Sequence, residues 1–189
     1  MILFAVIFSY FLGSIPFGLL ISRLKGVDIR SVGSGNIGAT NIARALGKKY
    51  AIITFILDGL KGFIPTYLAV HSQSMHNYAG LIAIAAVMGH IFSIFLKFKG
   101  GKGVATTIMT YLALNTLIGI SVMLTWLSIF IVTKYSSLSA IMALFIGLFL
   151  ACATKDAGIT AFGLVTFAII IYKHIPNIRR LIAGKEGRF

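Results

Sequence analysis

The stretch VATTIMTYLALNTLIGISVMLTWLSIFIV, residues 104–132, runs 29 residues without a charged side chain. As one straight helix it would extend about 43 Å at about 1.5 Å per residue, against a bilayer hydrocarbon core of about 30 Å. How this run is read decides how often the chain crosses a membrane, and therefore which loops share a face.

A membrane is the first inference from composition. The chain is 58% hydrophobic and 11% charged, with a mean hydropathy of +0.98, whereas soluble domains carry about 25% charged residues. Residues 1–22 hold no charge. They also lack the basic start and small-residue cleavage site of a signal peptide, so they are expected to stay as a membrane helix. Apolar runs lie near 1–22, 50–70, 79–96, 104–132, 138–153 and 157–172.

The breaks between them differ in charge. Residues 23–49 carry six Lys/Arg, 97–103 carry three, the tail from Lys173 carries five, and 71–78 carry none. The positive-inside rule places the three basic segments in the cytoplasm, with the N-terminus and 71–78 outside. From an inside loop at 97–103 to an inside tail the chain must cross an even number of times, yet three apolar runs remain. Splitting 104–132 near Leu114-Asn115-Thr116 restores the parity. It also returns Lys134–Ser139 to the cytoplasmic side and turns 154–157 outward. The expected fold is all-α, a polytopic integral membrane protein of seven transmembrane helices, N-terminus outside and C-terminus cytoplasmic. No repeat or linker divides it, so residues 1–189 form a single domain.

The net charge of +13 points to anionic partners. The aromatic residues lie in apolar spans and do not interleave with a basic face, so nucleic acid is excluded and membrane lipids are expected. One cysteine, Cys152, rules out an internal disulfide. The four acids, Asp28, Asp58, Asp156 and Glu186, are scattered, and no H-E-x-x-H or G-x-S-x-G occurs. No metal and no cofactor is expected.

Three polar segments carry the chemistry. VGSGNIGATN (32–41) contains G-x-G-x-x-G, with Asp58 twenty residues past its last glycine. A dinucleotide fingerprint needs a preceding strand and a βαβ unit, and this stretch lies between two membrane spans. What remains is a turn whose amides can face an anion, or a connector whose glycines merely fit tight bends. KFKGGKGVAT (97–106) places three lysines around glycines just before a helix, an arrangement suited to phosphate. In HIPNIRRLIAGKEGRF (174–189), His174, Asn177 and Arg180 or Arg179 share a face at helical spacing. Within the spans, Asp58 and Lys61 form an i,i+3 pair read as structural, and His90 is either functional or a structural hydrogen-bonding group.

SGNIGATN (34–41), LDGLKG (57–62), GHIFSIFLKFKGGKGVAT (89–106) and H-x-x-N-I-x-R-L-x-x-G-x-E from His174 to Glu186 closely resemble the PlsY family. These are bacterial membrane acyl-phosphate:glycerol-3-phosphate acyltransferases. The resemblance covers the whole chain and implies transfer of an acyl chain from acyl-phosphate to the sn-1 hydroxyl of glycerol-3-phosphate, giving lysophosphatidic acid and phosphate. This is the first acylation of bacterial phospholipid synthesis, carried out at the cytoplasmic face of the inner membrane, here expected of a monomer. It assigns Ser34, Lys102 and His174 to catalysis, His174 as base or hydroxyl-orienting group. Ser34, Gly35, Asn36 and Gly38 are expected to cradle one phosphate, supported by Thr40, Asn41 and Arg44. Lys102 with Gly100, Gly101 and Gly103 takes a second, Ser137 orients substrate, and Asn177, Arg180 and Glu186 close the site. The sequence departs from the family at Lys134, where Arg is usual, at Ala140, where serine is common, and at Met109, where glycine is expected. Two competing readings are an organic-phosphate transporter, with polar loops lining a pathway, and a lipid-binding assembly protein without turnover.

Overall fold

Pro16 breaks the first apolar run. It cannot donate a helical hydrogen bond and drives the preceding residue to extended geometry; Ile15 stands at φ −61° and ψ 120°. The computed structural model describes residues 1–189 and contains helices and no strand. Its α-helices are α1 (Ile2–Ser14), α2 (Phe17–Leu24), α3 (Ala39–Leu46), α4 (Lys48–Val70), α5 (Ala79–Ile91), α6 (Val104–Leu114), α7 (Thr116–Thr133), α8 (Ser136–Ala153) and α9 (Ala157–Ile182). The uninterrupted first helix expected over 1–22 is therefore two helices, α1 and α2, because of Pro16.

The long run breaks at Asn115, within the expected Leu114-Asn115-Thr116. Asn115 leaves helical geometry, and its Oδ1 accepts from the Leu117 and Ile118 amides at 3.1 and 3.2 Å. Those donors would otherwise be orphaned at the start of α7. Asn115→Ala should lower stability by about 1 kcal/mol, while Asn115→Asp should hold it. Thermal unfolding in detergent reads this, and equal midpoints for the wild type and the alanine variant would refute the cap.

Six segments are long and apolar enough to cross a membrane: Ile2–Leu24, Lys48–Val70, His76–Leu96, Thr116–Thr133, Ser136–Ala153 and Ala157–Ile182. The shorter apolar helix α6 has 11 residues, about 16 Å of rise. Its far end, Leu114, lines a cleft with Val70, Asn77 and Asp156. Its near end meets the glycine loop at Gly103.

The core lies among α5 to α9, where Val87, Ile108, Tyr111, Val122, Leu144 and Phe162 are buried together. Large apolar residues face outward instead, Leu3 and Phe4 at 72% and 73% exposure, as lipid solvation allows. Helices α1 and α5 are pinned by Ser9 donating to Ile82 O at 2.8 Å and Tyr10 donating to Phe92 O at 2.6 Å. The Asp58–Lys61 pair is buried, with 2.9 Å between its charged atoms. Lys61 also donates to Ile15 O at 2.7 Å, a carbonyl at the Pro16 break.

Candidate active site

Asn41 shapes the first loop. It is 2% exposed, and its Nδ2 donates to Ile29 O at 3.2 Å and Val32 O at 2.9 Å, while its Oδ1 accepts from Ser34 N at 3.0 Å. One amide side chain thus folds residues 29–34 back over the start of α3. Gly33 and Gly35 sit at φ +56° and +66°, which non-glycine residues rarely adopt. Ser34 is left at the exposed tip, its Oγ accepting from Asn36 N at 3.4 Å. Gly38 caps α3 with no side-chain partner for the helix's first amides, so donors there are open to an anion. The contacts of Asn41 are internal to the loop, and its part is to hold Ser34 in place.

The second loop is held from beneath. The Gly100 and Gly101 amides donate to Ile91 O and His90 O, each at 3.1 Å. A methyl group on Gly100 would overlap His90 O, and one on Gly101 would overlap His90 Nε2. Both glycines therefore serve close approach to the end of α5, and their amides are engaged there. Gly103, at φ +88°, begins α6 with no side-chain cap.

Lys102 projects from this loop into a polar chain built by distant segments. Its Nζ donates to Asn177 Oδ1. Asn177 Nδ2 donates to Glu186 Oε1 at 2.6 Å, and Ser137 Oγ donates to the same oxygen at 2.7 Å. Arg180 Nε donates to Glu186 Oε2 at 2.7 Å. Partial burial pushes the Glu186 carboxyl up, but the bonds from Asn177, Ser137 and Arg180 outweigh it and hold the group below the ordinary carboxylate range. Asn177 and Ser137 are each 6% exposed, so this chain forms the floor of the site.

His174 lies one helical turn before Asn177 and is 2% exposed. Its Nδ1 is 2.8 Å from Ile170 O. A carbonyl can only accept, so Nδ1 carries the hydrogen, and in the neutral ring Nε2 keeps a lone pair. Arg44 is exposed at the rim, its Nη2 3.5 Å from Gly187 O.

Two contributors had no sequence signal. Arg30 Nη2 donates to Lys99 O at 3.0 Å and ties the first loop to the second. Ser136 Oγ lies 2.9 Å from Thr40 Oγ1 and ties α8 to α3. The tail closes the far side, Phe189 N donating to Lys134 O and Arg188 Nε to Tyr135 OH, both at 3.0 Å. Both loops, the α7–α8 turn and the tail therefore meet at one end of the bundle. No three metal-ligating side chains come together.

The family model for glycerol-3-phosphate acyltransferases matches residues 3–184. A glycerol-3-phosphate acyltransferase of Aquifex aeolicus (strain VF5) is 48% identical over 189 residues, covering 99% of this chain and 98% of that protein. One of Thermotoga petrophila is 45% identical, covering 96% and 93%. Among solved structures, PlsY (YgiH), an integral membrane glycerol 3-phosphate acyltransferase, superposes in its glycerol 3-phosphate form with a TM-score of 0.95 at 45% identity, covering 100% of this chain and 95% of that one. Its lysophosphatidic acid form gives 0.92 at 44% identity, with the same coverage.

Proposed function

The chain belongs to the glycerol-3-phosphate acyltransferase family, and from that membership we propose that it moves an acyl chain from acyl-phosphate to the sn-1 hydroxyl of glycerol-3-phosphate. The products are lysophosphatidic acid and inorganic phosphate. The observation that carries this reading is the bonded chain from Lys102 through Asn177 to Glu186, Ser137 and Arg180. It gathers two cations and neutral donors around one carboxylate, beside the uncapped starts of α3 and α6.

Both substrates bring phosphate, and acyl-phosphate is already an activated donor, so positioning and charge neutralisation are the main tasks. The hydroxyl oxygen attacks the acyl carbonyl carbon. The bond from that carbon to the phosphate oxygen breaks, and phosphate leaves with the electron pair. The hydroxyl proton passes to the departing phosphate. Lys102, Arg180 and Arg44 neutralise the two phosphates, Ser34 and the α3 amides hold one of them, and Ser137 orients substrate. The Nε2 lone pair of His174 suits it to orient the hydroxyl or, as the alternative base in place of the phosphate, to take its proton.

Phosphate capture by Lys102 needs its charged form. Burial pushes its ammonium down to about 8; Glu186 opposes this, and Arg180, Arg44 and Lys173 add to it. The cation is therefore present below that pH and lost above it. The kcat/KM for glycerol-3-phosphate should be flat below about pH 8 and fall above it. Lys102→Arg should carry the alkaline limb to higher pH, since guanidinium stays charged. An unmoved limb in that variant would assign the titration elsewhere.

The meeting of the basic loops and the tail at one end supports seven crossings, with α6 counted as a short one, the N-terminus outside and the site facing the cytoplasm from the inner membrane. The molecule is read as one domain acting as a monomer. Ser74→Cys in a Cys152→Ala background should then react with an impermeant maleimide added to intact cells. Labelling only after lysis would invert the topology. The donor is tested with purified protein given glycerol-3-phosphate and, separately, acyl-phosphate, acyl-CoA and acyl-carrier protein. Turnover is expected with acyl-phosphate alone, and turnover with either thioester would overturn the donor assignment.

A further inference from the structure

His90 and Asp58 lie outside the polar chain of the site, yet His90 touches the loop that carries Lys102. The Gly101 amide donates to His90 O at 3.1 Å, and the position of a Gly101 Cβ is taken by His90 Nε2. The imidazole is thus the surface on which Gly101, next to Lys102, rests, while Gly100 rests on the His90 and Ile91 carbonyls. The ring is 4% exposed, and its other nitrogen, Nδ1, faces Asp58 Oδ1 at 3.7 Å. His90 Nδ1 has no hydrogen-bond partner. Asp58 is held in turn: its Oδ1 lies 2.9 Å from Lys61 Nζ, and its main-chain carbonyl accepts from Thr106 Oγ1, two residues into α6, at 2.8 Å.

We infer that His90 is a positioning residue for Lys102: Asp58 aims the imidazole, and the imidazole sets the height at which the Gly100–Gly103 segment presents the Lys102 ammonium. This rests on the reading of Lys102 as a phosphate-holding residue. A carboxylate facing Nδ1 favours the tautomer with hydrogen on that nitrogen. Nε2 then turns a bare lone pair toward the Gly101 α-carbon, where only hydrogen fits. The pair first read as purely structural thereby acts on the site at one remove, through loop height.

A double-mutant cycle in detergent tests the coupling. His90→Ala should raise the KM for glycerol-3-phosphate about tenfold while kcat changes less than about threefold, and His90→Gln should recover most of that loss. Gly101→Ala should be severe in the wild type, where the methyl meets Nε2, and much milder in the His90→Ala background, where the ring is gone. Additive penalties, or a fall in kcat at unchanged KM, would overturn the inference. Calorimetric binding of glycerol-3-phosphate follows the same cycle without a donor, so wild type that binds but does not turn over acyl-phosphate refutes the donor reading alone. Imidazole 15N shifts of the wild type should show His90 protonated at Nδ1 and bare at Nε2. A proton on Nε2 overturns the inference whether or not the variants fold.

Discussion

Lys102→Ala should lower kcat/KM for acyl transfer about 10³-fold and leave the protein folded. Lys102 sits where Asn177 holds its Nζ and where burial makes each unit of charge count for more than in water. Removing one preorganised donor aimed at developing phosphate charge typically costs about 10²–10³-fold. In the proposed reaction the lost donor is also a full cation serving an anionic leaving group. Lys102→Arg should retain part of the activity, since it keeps charge but brings a larger planar group to a loop packed against His90. Phosphate release under saturating donor reads both. An alanine variant with more than a tenth of wild-type activity would remove Lys102 from the mechanism.

Glu186→Ala should cost about 10²-fold through geometry alone. The carboxylate accepts from Ser137, Asn177 and Arg180 at once. Without it, Asn177 loses the bond that fixes its amide, and Lys102 loses a fixed partner in turn. Misplacement of a catalytic group by about 1 Å costs on that order. The variant also removes the one acid among Lys102, Arg180, Arg44 and Lys173, so their mutual repulsion is unrelieved. Glu186→Gln, which keeps an acceptor but no charge, should fall between. Equal activity of the glutamine variant and wild type would show that the charge is dispensable and that shape alone matters.

Much of this molecule could be read before its structure. Parity of crossings required a break in 104–132, and Asn115 supplied it as a helix cap, a local signal for a local event. Pro16 is an equally local signal, but the uncharged run around it conceals the break. The site divides along the same line. Ser34, Lys102, His174 and Asn177 stood out because glycine turns and i,i+3 spacing are local patterns. The service of Gly100 and Gly101 depends on α5 lying beneath them, a contact made by packing. Arg30 and Ser136 bridge segments 69 and 96 residues away, and no local pattern carries such a pairing. Glycine was recognised as necessary, while the neighbour that makes it necessary emerged only from the packed chain.

One phosphorus NMR time course on the purified protein in detergent tests the central claim most directly, since acyl-phosphate, glycerol-3-phosphate, inorganic phosphate and lysophosphatidic acid all give separate signals. The two substrates should decline together while inorganic phosphate and the sn-1 acylated product rise one for one. Phosphate release without lysophosphatidic acid, or acylation at the other hydroxyl, would contradict it.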